Sequence, residues 1–296
     1  MTEFLNKYIL QFPEAWQFRV GDSIDNAVKT FSKNHQDVLT AVKKGVIACI
    51  SGIQSILEAV PWIVLVLLVG FLAWYLTKKW YSGALYALML TFVGFCGMWH
   101  EMMQTLSIVI AGVVLCIVLG FPLGVLLAMS SRANKILKPV LDTMQTMPSW
   151  VYLVPAVILF SVGMTPALLA TMIYAIVPMV RMTSHGLLYV DAEMIEAAQA
   201  FGSTRMQTLI KVQIPQAMPT IMTGVNQTIM MAMSMVVTCA LIGANGLGME
   251  ILIATNRVEM GKSLFPGICI VIIAVILDRL TQAMVRKSEV QSDGAE

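Results

Sequence analysis

At 296 residues, 58% of them hydrophobic and 12% charged, with a mean hydropathy of +0.79, the chain carries more apolar side chains than one soluble globule can enclose. It belongs in a bilayer. A net charge of +2, with no basic stripe interleaved with aromatics, excludes a nucleic-acid-binding surface.

Residues 1–60 differ in character from the rest. No apolar core follows a basic start, so no cleavable signal is expected and the Met1 end is expected to be kept. From Ile24 onward Ile24, Val28, Phe31, Val38, Val42, Val46, Ile53, Leu57 and Val60 recur at helical steps, with Lys29, Lys33, Lys43 and Lys44 between them. This spacing predicts amphipathic helices lying on the outer membrane face, although an ordinary solvated helix has the same pattern.

A hydrocarbon core of about 30 Å needs roughly 20 apolar residues per helix. By that ruler about seven transmembrane helices are predicted, making the chain an all-α polytopic membrane protein. The spans fall near 61–77, 83–99, 105–129, 148–163, 166–187, 217–243 and 264–285, the fourth and fifth joined at Gly163–Pro166. Pro122, Pro155 and Pro178 are tolerated there because neighbouring helices can satisfy the freed backbone groups. The organisation is an extracytoplasmic segment 1–60, two accessory spans within 61–104, a core 105–285 and a tail 286–296.

Orientation follows from the charge in short loops. Lys78, Lys79, Arg132, Lys135, Lys138, Arg181, Arg205, Lys211, Arg286 and Lys287 fall on one side of the alternating path, against Arg257 and Lys262 on the other. The richer side is cytoplasmic, which places the C-terminus inside and the N-terminus outside.

A soluble-looking module, 189–216, interrupts the core on that inner side. Asp191 can cap a helix whose first turn holds Glu193 and Glu196, where the helix dipole is positive. Ala197, Ala198 and Ala200 then form a smooth surface that a partner can approach closely, and Gly202 breaks it. Thr204 and Gln207 form a capping box for a second helix that carries Met206, Leu209, Ile210 and Ile214 on one side until Pro215 stops it.

These residues carry a family resemblance. Glu196-Ala197-Ala198, three residues, Gly202, nine residues, then Val212-x-Ile214-Pro215 resembles the cytoplasmic EAA motif of ABC importer permeases. The family usually has Ile and Leu where Val212 and Ile214 stand. The segments 147–155, 211–228 and 276–282 are similar to the glycine betaine/proline branch, and the likeness covers roughly 106–282. It implies a type I importer permease fold in which Glu196, Ala197, Ala198, Gly202, Ile214 and Pro215 couple the permease to an ATPase. It also implies a bacterial inner-membrane location, an extracytoplasmic substrate-binding protein, a second permease copy and a compatible solute such as glycine betaine as cargo. No receptor domain is expected within this chain.

No phosphate-cradling GxxxxGK[ST], HExxH or GxSxG run occurs, so ATP and magnesium are expected on a separate ATPase and no cofactor on this chain. The five cysteines lie apart without CxxC spacing, and His35, His100 and His185 read as interfacial or solvated; neither a disulfide nor a metal site is predicted.

The predicted sixth span holds the candidate translocation path: Asn226, Gln227, Thr228, Met230, Ser234 and Thr238, set in a Met-rich stretch whose soft side chains suit a repacking gate. Equally, these polar groups can be hydrogen-bonded packing contacts between helices. Asp278 and Arg279, toward the inner end of the last span, read as a local pair or as snorkelling side chains rather than as a substrate site. The rival function, a secondary carrier driven by an ion gradient, calls for mid-span charges or paired broken helices, which the sequence does not display. Gly243–Gly248 follows a membrane helix rather than a strand, so it reads as a turn at an outer gate or docking loop and not as a phosphate loop.

Overall fold

A computed structural model describes residues 21–293, and every regular element among them is helical. The residues before Gly21 and after Asp293, and the side chains of Arg286 and Lys287, on which part of the orientation argument rests, lie outside the described residues. In chain order the helices are α1 (Gly21–Asn34), α2 (Gln36–Ala59), α3 (Trp62–Thr77), α4 (Trp80–Phe95), α5 (Trp99–Met129), α6 (Ser131–Thr146) and α7 (Trp150–Phe160). They continue as α8 (Met164–Leu188), α9 (Ala192–Ala200), α10 (Arg205–Thr208), a π-helical turn at Leu209–Gln213, α11 (Ile214–Ala240), α12 (Leu247–Asn256) and α13 (Met260–Asp293).

The centre of the bundle is α8, packed between α5 and α11. Apolar side chains gain little by leaving lipid for protein, so helices associate where small residues let backbones approach. Gly120 and Gly124 on α5 meet α8 in this way, as does Gly224 on α11: a β-carbon on Gly224 would stand 2.7 Å from Met182 Cβ. Beside this core, α3 and α4 form a hairpin with the backbones of Gly70 and Gly83 in contact.

One end of the bundle is defined by three turns. The Gly163 N–H donates to Ile242 O at 2.9 Å, and the Leu247 N–H donates to Thr105 Oγ1 at 2.9 Å, so the α7–α8 turn, the α11–α12 turn and the start of α5 lie together. The opposite end carries Ser130 and the α9–α10 module.

Seven expected spans all prove helical, with lengths that differ from expectation. Among the described residues, five stretches are long and apolar enough to cross a bilayer: α2, α5, α8, the continuous run Arg205–Ala240, and Met260–Val285. A sixth exists if α6 and α7 count as one span broken by a 96° bend. The predicted span 148–163 is reduced to the 11 residues of α7. Both limits are local: Met147, preceding Pro148, is pushed to extended backbone (φ −70°, ψ 133°), which ends α6, and Ser161 closes α7 at φ +64°. The Tyr152 hydroxyl donates to Met144 O at 2.5 Å across the bend. Helices α3 and α4, with 16 residues each, rise only ~24 Å.

Length and hydropathy alone would let α2 cross, but both of its ends meet the same end of the bundle. Gln36, Leu39 and Lys43 border a cavity with Ile158–Ser161 at the close of α7, and Glu58 lies 3.1 Å from His100 at the start of α5. Helix α2 therefore runs across that end, with Ile50 buried in a cluster that includes Ile108 and Leu168.

The α9–α10 module and helix α11

Helix α9 is built from its cap. Asp191 Oδ1 accepts from the Glu193 N–H at 3.0 Å, and Glu193 occupies the first turn where a carboxylate is favoured. Glu196 falls one turn further on than expected. The helix buries no residue: Glu196 and Ala197 are exposed and Ala198 is half-buried.

Gly202 ends α9 in the left-handed region, at φ +82°. A β-carbon there would meet nothing within 4 Å, so glycine is needed for its backbone and not for space. Phe201 beside it is 94% exposed, together with exposed Met194, Met206 and Ile210. Ser203 donates to Ala198 O and contacts the Thr208 hydroxyl at 3.2 Å, closing the turn on itself. The capping box is present: the Thr204 N–H donates to Gln207 Oε1 at 2.8 Å and the Gln207 N–H to Thr204 Oγ1 at 3.4 Å.

Beyond the box the expectation fails in one respect. Of Met206, Leu209, Ile210 and Ile214, Leu209 is 4% exposed while Met206 and Ile210 are 58% and 57% exposed. Pro215, however, does not stop the helix. The chain widens into the π turn, where the Ile214 N–H bonds to Leu209 O, and Pro215 enters the first turn of α11, a position that needs no N–H. Residues 205–240 are consequently one continuous helix. A groove of about 360 Å³ between the module and the bundle is lined by residues including Leu188, Gln199, Arg205 and Gln213.

Along α11 the candidate path residues divide between two faces. Gln227, Met230 and Ser234 are exposed and, with Val237 and Leu241, make one stripe at helical spacing. Thr238 is half-buried at its edge. Thr228 is fully buried, and its hydroxyl has no partner. Asn226 faces α13, donating Nδ2–H to Asp278 Oδ1 at 3.0 Å. Asp278 is held mainly by this amide and by Gln282, while Arg279 stays 4.0 Å away. The local pair expected of Asp278 and Arg279 is thus the weakest of its contacts.

The glycine-rich turn is a close-packed joint. A β-carbon on Gly246 (φ +118°) would stand 2.5 Å from Thr105 Oγ1, and one on Gly248 2.5 Å from Val236 O. Helix α6 and its ion pair, Asp142 with Arg181 of α8, escaped the sequence reading. Ser130, which caps α6 by accepting from the Ala133 N–H at 3.3 Å, was the signal that could have revealed it.

Comparison with known proteins gives this architecture a context. Residues 120–290 match the family model of the binding-protein-dependent transport system inner membrane component. The chain is 43% identical over 269 residues to the glycine betaine/proline betaine transport system permease protein of Escherichia coli, covering 91% of this chain and 75% of that one. It is 40% identical over 264 residues to the glycine betaine transport system permease protein of Bacillus subtilis, covering 89% and 93% respectively. Among solved structures, an inward-facing MetNI methionine ABC transporter chain shares the fold with a TM-score of 0.57 at 22% identity, over 64% of this chain and 95% of that one.

Proposed function

The chain belongs to the binding-protein-dependent transport system inner membrane component family, and from that premise we propose that it is the permease subunit of an ATP-driven importer of glycine betaine and related quaternary-ammonium solutes. Proline betaine, proline, carnitine and choline stand behind it as further cargoes, in no fixed order. The substrate class follows the relatives, which are named as permeases for glycine betaine, proline betaine or carnitine.

The observation that carries the reading is mechanical. A capped helix-turn-helix carries Glu196, Ala197 and Ala198 on its first helix and Gly202 in its turn, and its second helix runs from Arg205 through Ile214 and Pro215 into α11 without a break. Force applied to the module by an ATPase therefore reaches the path helix through hydrogen-bonded backbone. Phe201, Met206 and Ile210 supply apolar anchors for that partner. ATP and magnesium belong to the ATPase, and this chain binds neither.

Two permease copies would face each other across the path through Gln227, Met230 and Ser234, an isologous pairing about a two-fold axis. Rigid-body movement of the pair would alternate access between the two membrane faces. The module end, with Arg132, Lys135, Lys138, Arg205 and Lys211, is assigned to the cytoplasm along with the end of α13. Helices α1 and α2 are assigned to the extracytoplasmic interface, and the Gly243–Gly248 turn faces the binding protein.

Uptake of radiolabelled betaine in a strain lacking its own betaine carriers, with and without the ATPase and binding protein, tests the reading. Uptake requiring both partners is expected; accumulation driven by an ion gradient without them would overturn it.

A further inference from the structure

A carboxylate inside a span is costly unless it is compensated, and Asp278, with its side chain 18% exposed, is compensated by amides. Gln282 donates to Oδ1 and Oδ2 at 2.8 and 2.9 Å, but it belongs to α13 itself. Arg279 is 59% exposed and 4.0 Å away. Among the described residues, the bond that crosses from Asp278 to α11 is the one from Asn226, at 3.0 Å. Asn226 Oδ1 and, about 200° round the helix on its other flank, Thr228 Oγ1 are buried without partners. The Asp278 bond is therefore the polar tie that holds this stretch of α11 on one flank, with no hydrogen bond from Thr228 opposing it on the other.

Successive residues on a helix differ by about 100° in direction. With Asn226 turned inward, Gln227 is turned outward, and Met230 and Ser234 follow it one and two turns along. We propose that Asp278 is a positioning residue for transport: by holding Asn226 it sets the rotation of α11 about its own axis, and so aims Gln227, Met230 and Ser234 at the path. The proposal rests on the reading of α11 as the path helix.

The test uses the full chain with its ATPase and binding protein in proteoliposomes. Gln227→Cys, Ser234→Cys and Thr228→Cys are introduced singly, and their reaction with a small thiosulfonate reagent is followed peptide by peptide by mass spectrometry, which separates them from the native cysteines. Labelling at 227 and 234 is expected to exceed that at 228. Adding Asn226→Asp, which sets a second carboxylate against Asp278, is expected to lower labelling at 234 severalfold, raise it at 228 and reduce uptake. The exchange Asn226→Asp with Asp278→Asn restores a donor facing a carboxylate and is expected to return both readouts, a rescue that no general loss of packing would permit. If Asn226→Asp does not reach the membrane, Asn226→Ala carries the same labelling comparison. Unchanged labelling in either variant would overturn the proposal. Altered labelling with normal uptake would retain Asp278 as the residue that orients α11 and overturn the path reading instead.

Discussion

Gly124 of α5 lies so close to Thr183 of α8 that a β-carbon on the glycine would stand 2.5 Å from Thr183 Cβ and 2.8 Å from Val180 O. Three turns away, a β-carbon on Gly112 would meet Thr171 Cγ2 at 3.4 Å, an ordinary contact. The two glycines therefore predict opposite outcomes. Gly124→Val should force the central helices apart at a cost of about 1–3 kcal/mol and lower the thermal midpoint of the detergent-purified protein. Gly112→Ala should leave the midpoint near that of the parent chain, and a comparable drop in both would remove the close-approach argument.

Thr105 makes a second, sharper prediction, because its hydroxyl is the acceptor for the buried Leu247 N–H and donates in turn to Glu101 O at 2.9 Å. Thr105→Val keeps the shape and deletes the acceptor, leaving a buried backbone donor unpaired at about 1–3 kcal/mol. Thr105→Ser keeps the bond. Hydrogen exchange at Leu247 should accelerate in the valine variant and not in the serine one.

At Gly202 the expected penalty is conformational. A β-branched residue at φ +82° costs about 1–3 kcal/mol of backbone strain, yet no neighbouring atom obstructs it. Gly202→Val should reach the membrane in near-normal amount while uptake falls and ATP hydrolysis by the complex no longer follows substrate. Gly202→Asn should be milder, since asparagine tolerates the left-handed region. Normal uptake by the valine variant would remove this turn from the coupling route.

Phe201, at 94% exposure, separates docking from stability. Truncation of so exposed a side chain should change the stability of the isolated permease by less than about 0.5 kcal/mol. Phe201→Ser is nonetheless expected to weaken retention of the ATPase during purification, measured as the ratio of the two subunits in the eluate. Thr204→Ala, which removes the capping box at a cost of about 1 kcal/mol, should act on the same ratio through a loosened α10.

The sequence by itself determined the bilayer, the helical class and the module. Each of these rests on composition or on contacts a few residues apart: hydropathy over a span, Asp191 with Glu193, Thr204 with Gln207, glycine where the turn is left-handed. The same locality explains the errors. Whether Pro215 ends a helix depends on whether the preceding turn can widen to i→i+5, and whether 148–163 is one span depends on how Met147–Pro148 bends against Tyr152 and Met144.

Which candidates face together is set by packing between segments distant in sequence. Asn226, Gln227 and Thr228 are adjacent in sequence, and polarity alone cannot tell which of them points to Asp278, 52 residues away, which is exposed and which is buried. Likewise α2 has the length and hydropathy of a span, yet the contacts of Gln36 and Glu58 at its two ends lay it across one end of the bundle. Local propensity acts along the chain, whereas a helix's rotation and its direction through the fold are set by the partners it meets, and those partners are distant in sequence.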